Sequence, residues 1–150
     1  MQPAPEARRR GAELHLTFTA SPALIRDQLA QLLALAPLSG LSNEGRGTAE
    51  LVLAEVLNNV AEHAYANRAG PVSLTIGRTA PGIGVLVVDR GRPMPGGEPP
   101  DGLLPGGSAT ALEDLPEGGF GWHLIRNLTT DLRYTRTNGC NRLRFILPAD

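Results

Sequence analysis

The distribution of hydrophobic and polar residues predicts β-strands in five stretches of the chain. The first stretch covers residues 12–19, and its alternation indicates a strand with one face in water. Residues 71–78 and 83–89 are rich in β-branched side chains and are joined by a tight Thr-Ala-Pro-Gly connection. Residues 132–137 and 141–147 flank an Asn-Gly pair, which is a strong signal for a hairpin.

Helical periodicity predicts three longer helices between these strands. The first starts at Ser21 and Pro22, a cap followed by a favoured first residue, and runs to about Ala36. The second covers about residues 46–66, and the third covers about residues 120–130. Strands joined by short connections must be antiparallel, so we expect an α+β fold. Its form is a two-layer α/β sandwich: a mixed, mostly antiparallel sheet covered on one face by helices.

Glycine and proline divide the chain into an ordered body and two irregular parts. Residues 1–11 are polar, end in three arginines and are expected to form a flexible tail. Residues 12–150 are expected to form a single domain. Residues 92–118 contain so many glycines and prolines that only residues 108–115 predict a short helix. We expect the 92–118 stretch to be a lid-like loop, because long loops in compact domains are usually functional or disordered.

Composition excludes several classes of function. The chain has 150 residues, 41% of them hydrophobic, and a formal net charge of −1, which predicts no general attraction to nucleic acid or anionic lipid. All 14 basic residues are arginine, which excludes the lysine of a P-loop, the ATP clamp of ordinary protein kinases and Schiff-base chemistry. The single cysteine excludes an internal disulfide framework. Neither a membrane span nor a signal peptide is apparent, so a cytoplasmic protein is expected.

The second predicted helix has a polar face opposite its apolar stripe. Glu55 and Asn59 lie four residues apart and are therefore neighbours one turn apart; Glu62 and His63 share the same side. A carboxylate beside a carboxamide offers hard oxygen ligands suited to Mg²⁺. A solvated polar face is the alternative interpretation, although asparagine in mid-helix is unfavourable there.

Two further places can carry chemistry. Asp89 ends a buried strand and is followed by Gly91; a carboxylate there can accept from an exocyclic amine, and the glycine leaves room for a flat ring. An ordinary turn is the alternative. Gly119 and Gly121 belong to a glycine cluster that opens the third helix, where free N–H groups and the helix dipole favour an anion such as phosphate. A loop that needs tight turns is the alternative.

These residues resemble the motifs of a known family. Glu55 to Tyr65, in the form E-x-x-x-N-x-x-x-H-A-Y, is similar to the N-box of the Bergerat-fold (GHKL) ATPases, and is closest to the anti-sigma-factor serine kinases of bacterial partner switching. Asp89 to Pro93 resembles the G1 box, and Gly119 to Ile125 resembles the G2 box. The stretch from Tyr134 to Leu143 is similar to the closing hairpin of that family.

The resemblance implies a role for each of these residues. Asn59 is implied as the Mg²⁺ ligand that bridges the ATP phosphates, and Glu55 as the group that orients and deprotonates the attacking hydroxyl. Asp89 is implied to hold the adenine amine above Gly91. His63 is implied to lie near the ribose or the phosphates, or else to serve in packing. Gly119 and Gly121 are implied to present their N–H groups to the phosphates. ATP and Mg²⁺ are the implied cofactors.

The leading hypothesis is an ATP-dependent protein serine kinase and anti-sigma regulator. The resemblance implies a STAS-type anti-sigma antagonist as substrate, a sigma factor as second partner and a homodimer. Between Arg92 and Arg126 the chain has only acidic charges, namely Glu98, Asp101, Glu113, Asp114 and Glu117. Phosphoryl-transfer sites normally bring a cation to the γ-phosphate. A nucleotide-gated or non-catalytic adaptor with the same fold is therefore the alternative.

Two other questions stay open at the level of sequence. Trp122 stands next to the glycine cluster, where it either packs in the core or crowds the nucleotide. The catalytic half of a histidine kinase is a third function, but it needs a phosphoacceptor histidine on a dimerising helical pair. His15 lies on a predicted strand and fits that role poorly.

Overall fold

The computed structural model describes residues 6–100 and 119–149, which form six strands and three α-helices, with shorter 3₁₀ and π turns between them. Each of the five strands that the sequence predicts is present. The elements are β1 (Glu6–Arg10), β2 (Glu13–Ala20), α1 (Ile25–Leu33), α2 (Asn43–Asn59), β3 (Gly70–Arg78), β4 (Gly82–Asp89), α3 (Gly119–Leu128), β5 (Thr130–Thr137) and β6 (Cys140–Pro148).

All six strands belong to one sheet with the order β1-β2-β3-β4-β6-β5. Every ladder is antiparallel, so the α+β prediction is confirmed and the expectation of a mixed sheet is wrong for the described strands. The register places Asp89, the last residue of β4, directly opposite Asn141 near the start of β6. Asn138 and Gly139 both have positive φ, as the predicted two-residue hairpin between β5 and β6 requires.

Strand β1 departs from the expected flexible tail. It pairs with the outer edge of β2, with Arg8 opposite His15, and the Arg9 guanidinium donates to the Ala36 carbonyl at 3.2 Å. A sheet edge leaves backbone groups unpaired, and pairing with β1 satisfies those of β2. Residues 7–10 are exposed on both faces of the strand, so this stretch lacks the apolar alternation by which a strand is recognised in a sequence.

The boundaries of α1 and the start of α2 differ from the prediction. Helix α1 begins at Ile25 without a side-chain cap; the Ser21 carbonyl instead accepts from the N–H groups of Leu24 and Ile25. It ends at Leu33, before the expected Ala36. Helix α2 begins earlier than expected, because the Ser42 hydroxyl accepts from the Gly45 N–H at 3.0 Å and caps the first turn.

A π-helical turn over Val60–Ala64 replaces the last turns of the straight helix that was predicted. The Tyr65 N–H reaches back to the Val60 carbonyl at 3.0 Å, which inserts one residue into the turn. The Ala64 carbonyl accepts from the Arg92 N–H at 2.8 Å and so ties the turn to the chain after β4. The π turn therefore links helix α2 to the carboxyl end of β4.

The core is aliphatic and lies between the helices and one face of the sheet. Leu53 and Leu57 of α2 are fully buried there, as are Ile76 of β3 and Phe145 of β6. Among the described residues, no helix is long and apolar enough to cross a bilayer. The predicted helix over 108–115 and most of the predicted lid, residues 101–118, lie outside the described residues.

Candidate nucleotide site

A cavity of about 680 Å³ opens between α2 with its π turn, the carboxyl end of β4, β6 and α3. This volume falls within the range of about 300–1,000 Å³ that is common for small-molecule sites. The residues that line it are Val56, Asn59, Val60, His63, Ala64, Val87, Asp89, Arg92, Pro93, Met94, Pro95, Pro100, Trp122, Tyr134, Asn141 and Leu143.

The structure brings several of the predicted site residues together and places others beside them. Asn59, His63 and Asp89 all line the cavity. Glu55 does not line it; its carboxylate lies against Gly121, in the first turn of α3. Gly119 is the first residue of α3, and the remaining glycine of the cluster, Gly118, lies outside the described residues.

Asp89 is almost fully buried at the end of β4. Its Oδ1 accepts from the Gly91 N–H and from Asn141 Nδ2, both at 2.8 Å. Burial raises the pKa of Asp89 above its ordinary value, against the opposing effects of these two hydrogen bonds and of the Arg136 charge. Both bonds end on Oδ1, so Oδ2 is the oxygen that they leave for another donor.

Gly91 allows the chain after β4 to pass directly against the π turn. A Cβ at this position would lie 2.4 Å from the Ala64 carbonyl oxygen and 2.6 Å from the Ala64 Cβ. No side chain fits such a gap without a shift of backbone. The contact fixes the distance between Asn59 at the end of α2 and Asp89 at the end of β4.

We predict that Gly91→Ala destabilises the protein by about 1–3 kcal/mol, the usual cost of overpacking. The Ala64 carbonyl cannot move away without weakening its hydrogen bond to the Arg92 N–H. Urea denaturation measures the change. Gly47→Ala is the matched control, because this exposed glycine inside α2 has open space around its Cβ position and should gain stability by about 0.5–1 kcal/mol. An unchanged midpoint for Gly91→Ala would contradict the close contact.

Asn59 offers a carboxamide at the cavity wall. Its Nδ2 is buried and has no hydrogen-bond partner among residues 6–100 and 119–149. The same residues contain no cluster of three or more His, Cys, Asp or Glu side chains that could hold a metal by themselves. The unpaired Nδ2 is a hydrogen-bond donor and suits an acceptor such as a phosphate oxygen. Oδ1 is the atom of this side chain that would ligate Mg²⁺, a cation that takes few protein ligands and completes its shell with phosphate oxygens and water.

Glu55 packs its carboxylate on the amino-terminal turn of α3. An ideal Cβ on Gly121 would lie 2.5 Å from Glu55 Oε2, so only glycine leaves room for this approach. Burial raises the pKa of Glu55, and the negative charge of Glu62 raises it further. A carboxylate with a raised pKa is a stronger base than a solvated one.

Helix α3 presents its amino terminus beside this carboxylate. The first N–H groups of a helix lack partners within the helix, and the dipole adds partial positive charge there. The next residue, Trp122, is buried and also lines the cavity, so it belongs both to the core and to the cavity wall. The two placements that the sequence left open for Trp122 are therefore combined in one side chain.

Arginine side chains near the cavity bind backbone carbonyls. Arg92 donates to the His63 carbonyl through Nε at 3.1 Å and Nη2 at 2.7 Å. Arg126 donates to the carbonyls of Pro99 and Pro100 at 2.8 and 2.7 Å. These guanidinium groups hold segments of the cavity wall together.

Sequence reasoning missed two residues that shape the site. Asn141 is buried on β6 and binds Asp89, and the Tyr134 hydroxyl on β5 donates to Asn141 Oδ1 and accepts from the Met94 N–H at 3.0 Å. The sequence does carry a feature that points to Asn141: the alternation of β6 predicts a buried side chain at this position, and the residue there is polar. A buried asparagine needs several partners, which marks it for inspection.

The sequence is similar to a known domain family and to two known proteins. The sequence profile described as "Histidine kinase-like ATPase domain" matches residues 18–147. The chain is 27% identical over 109 residues to "Serine-protein kinase RsbW" of Bacillus licheniformis, covering 72% of this chain and 68% of that protein. It is 24% identical over 90 residues to the protein of the same name in Bacillus cereus strain AH187, covering 60% of this chain and 56% of that one.

Proposed function

The chain belongs to the histidine kinase-like ATPase domain family, and from this premise we propose that it is an ATP-dependent protein serine kinase that also acts as an anti-sigma regulator. The single observation that carries the proposal is that Asn59 of α2, His63 of the π turn and Asp89 of β4 line one cavity of suitable size. The similarity to two proteins named serine-protein kinase supports the choice of serine as acceptor.

Adenine is proposed to bind at the Asp89 end of the cavity. Two N–H donors fix Oδ1, so Oδ2 would accept a hydrogen bond from the exocyclic amine of the base. A guanine ring has a carbonyl oxygen in the corresponding position, and two facing acceptors repel each other. The buried carboxylate thus favours adenine over guanine.

The phosphates are proposed to lie toward Asn59 and the amino terminus of α3. Mg²⁺ held by Asn59 would neutralise charge on the phosphate oxygens when bound. The N–H groups that begin at Gly119 and Gly121 would donate to phosphate oxygens. His63, which is exposed at the cavity rim, would lie near the ribose or the phosphates.

Glu55 is proposed to orient the serine hydroxyl and to take its proton while the γ-phosphoryl group passes to the oxygen, leaving phosphoserine and ADP. Its raised pKa suits this role, because a general base works best when its pKa lies closer to the working pH. Positioning and charge stabilisation supply most of the rate in such transfers.

The proposed partners rest on the resemblance of the sequence motifs to the anti-sigma-factor serine kinases of partner switching. The acceptor serine would belong to a STAS-domain anti-sigma antagonist, and the second partner would be a sigma factor. A homodimer and a cytoplasmic location are part of the same proposal.

The test of function combines binding with transfer. Calorimetry with ATP and ADP in Mg²⁺ should show binding, and radiolabelled ATP should place phosphate on serine in at least one member of a panel of purified STAS-domain proteins. Binding without any transfer across that panel would favour an adaptor. Absence of heat at millimolar nucleotide would overturn the ATP-dependent function altogether.

The pH dependence of transfer should depend on Glu62. A base is active when ionised, so kcat/KM should rise with pH through the pKa of Glu55, which lies above its ordinary value. Glu62→Gln removes a repelling charge, lowers that pKa and should shift the acid limb of the kcat/KM profile to lower pH. Glu44→Gln, at the exposed start of the same helix, is the control. An acid limb that stays in place would separate Glu55 from the proton transfer.

One observation favours the adaptor as a second candidate. Arg92 and Arg126 already donate to carbonyls of the cavity wall, so neither guanidinium is unoccupied for a γ-phosphate. Phosphoryl transfer normally uses such a cation. A partner-binding protein that holds nucleotide without turnover would not need one, and a partner pull-down with and without ATP distinguishes the two functions.

A further inference from the structure

Asn141 is saturated with hydrogen bonds that all end within the protein. Its Nδ2 donates to Asp89 Oδ1 and to the Arg92 carbonyl, both at 2.8 Å. Its Oδ1 accepts from the Tyr134 hydroxyl and from Arg136 Nη1, the latter at 2.8 Å. The side chain is 5% exposed. Every strong donor and acceptor of the amide is used, so Asn141 has none left for a ligand.

The neighbours of Asn141 also fix which way its amide points. The nitrogen faces a carboxylate oxygen and a carbonyl, which only accept, while the oxygen faces a hydroxyl and a guanidinium. A flipped amide would place its oxygen against the Asp89 carboxylate and its nitrogen against the Arg136 guanidinium. Asn141 therefore always presents a donor to Asp89.

We propose that Asn141 is a positioning residue that keeps Asp89 a hydrogen-bond acceptor and thereby sets the preference of this cavity for a purine with an amine, not a carbonyl, at C6. The inference rests on the proposed nucleotide function and extends it to specificity. Asn141 acts through Asp89 and does not touch the base.

The electrostatics of Asp89 give the physical reason. Burial raises its pKa, while Asn141, the Gly91 N–H and Arg136 oppose that rise; the phenol of Tyr65 lies close enough to interact with Asp89 as well. Without the Asn141 donor, the pKa of Asp89 would rise further, and a larger fraction of Asp89 would be protonated. A protonated carboxyl can donate to a carbonyl at C6, so the site would lose its discrimination.

The proposal predicts a change in the ratio of two affinities. ATP and ITP differ at C6, where ITP carries a carbonyl in place of the amine. For Asn141→Leu, which removes the donor at similar size, the ATP-to-ITP affinity ratio should fall by about tenfold or more, as for the loss of a hydrogen bond to a charged group. Asn141→Ser, which keeps a hydroxyl donor, should recover part of the ratio. Titration calorimetry measures both ligands.

Asn127→Leu is the matched control, since this exposed asparagine on α3 is bonded to His123 and lies outside the cavity lining. It should leave the ratio unchanged. A purely structural loss would weaken ATP and ITP together, so an unchanged ratio in Asn141→Leu overturns the proposal. If that variant does not fold, Asn141→Ala takes its place: it removes the same donor to Asp89 without adding apolar bulk and should lower the ratio in the same direction, and no change there overturns the proposal equally.

A second readout does not depend on nucleotide binding. In the free protein, the Asp89 carboxyl should titrate at higher pH in Asn141→Leu than in the wild type, as followed by carbon NMR. Asn127→Leu is again the control and should titrate as the wild type does. If the wild type binds neither ATP nor ITP, the proposed function fails, while this titration still shows whether Asn141 holds Asp89 ionised. An Asp89 titration that does not move removes the positioning role.

Discussion

Asp89→Asn should weaken ATP and ADP binding by about 10- to 100-fold, corresponding to one hydrogen bond to a charged group. The fixed position of Oδ1 is the reason. Gly91 N–H and Asn141 Nδ2 both donate to this atom, so the oxygen of the new amide takes its place and the nitrogen takes the place of Oδ2. A donor would then face the adenine amine, which is also a donor.

Calorimetry with each nucleotide measures the loss, and both ATP and ADP should lose affinity by the same factor because the change concerns the base alone. Asp131→Asn is the control: Asp131 is an exposed residue that pairs with Arg133 at 2.9 Å and does not line the cavity. Wild-type affinity in Asp89→Asn would show that the base is not bound at the end of β4.

The sequence predicted the position of Asp89 well because local patterns determine it. The apolar, β-branched run over residues 83–89 predicts a buried strand, and an aspartate at its end followed by a glycine stands out against that run. The same holds for Glu55 and Asn59, since helical spacing places them on one side of α2. Local periodicity predicts which side chains share a face, and it is sufficient to predict where these three residues lie on their own elements.

The missed features depend on contacts between distant parts of the chain. Asn141 meets Asp89 only because β6 pairs with β4 in one particular register. Strand β1 pairs with the edge of β2 although its residues are polar. The π turn over Val60–Ala64 lies where the end of α2 packs closely against Gly91. A helical pattern in the sequence does not reveal such a contact.

Glu55→Gln should lower kcat for phosphoryl transfer by about 10²- to 10⁴-fold, the usual contribution of a general base. Glutamine has nearly the same shape, so it can pack on Gly121 as the carboxylate does, but it cannot take a proton. Affinity for ATP should stay near that of the wild type because Glu55 does not line the cavity. A loss confined to kcat is the signature of a group that acts in the transition state.

Two further variants distinguish chemistry from packing. Glu50→Gln, an exposed carboxylate on the same helix, should transfer phosphate at the wild-type rate. Gly121→Ala keeps the base but places a Cβ where only 2.5 Å separates it from Glu55 Oε2, so the carboxylate must move and kcat should fall while ATP still binds. If Glu55→Gln transfers phosphate as fast as the wild type, the carboxylate is not the base, and its contact with Gly121 serves the packing of α2 on α3.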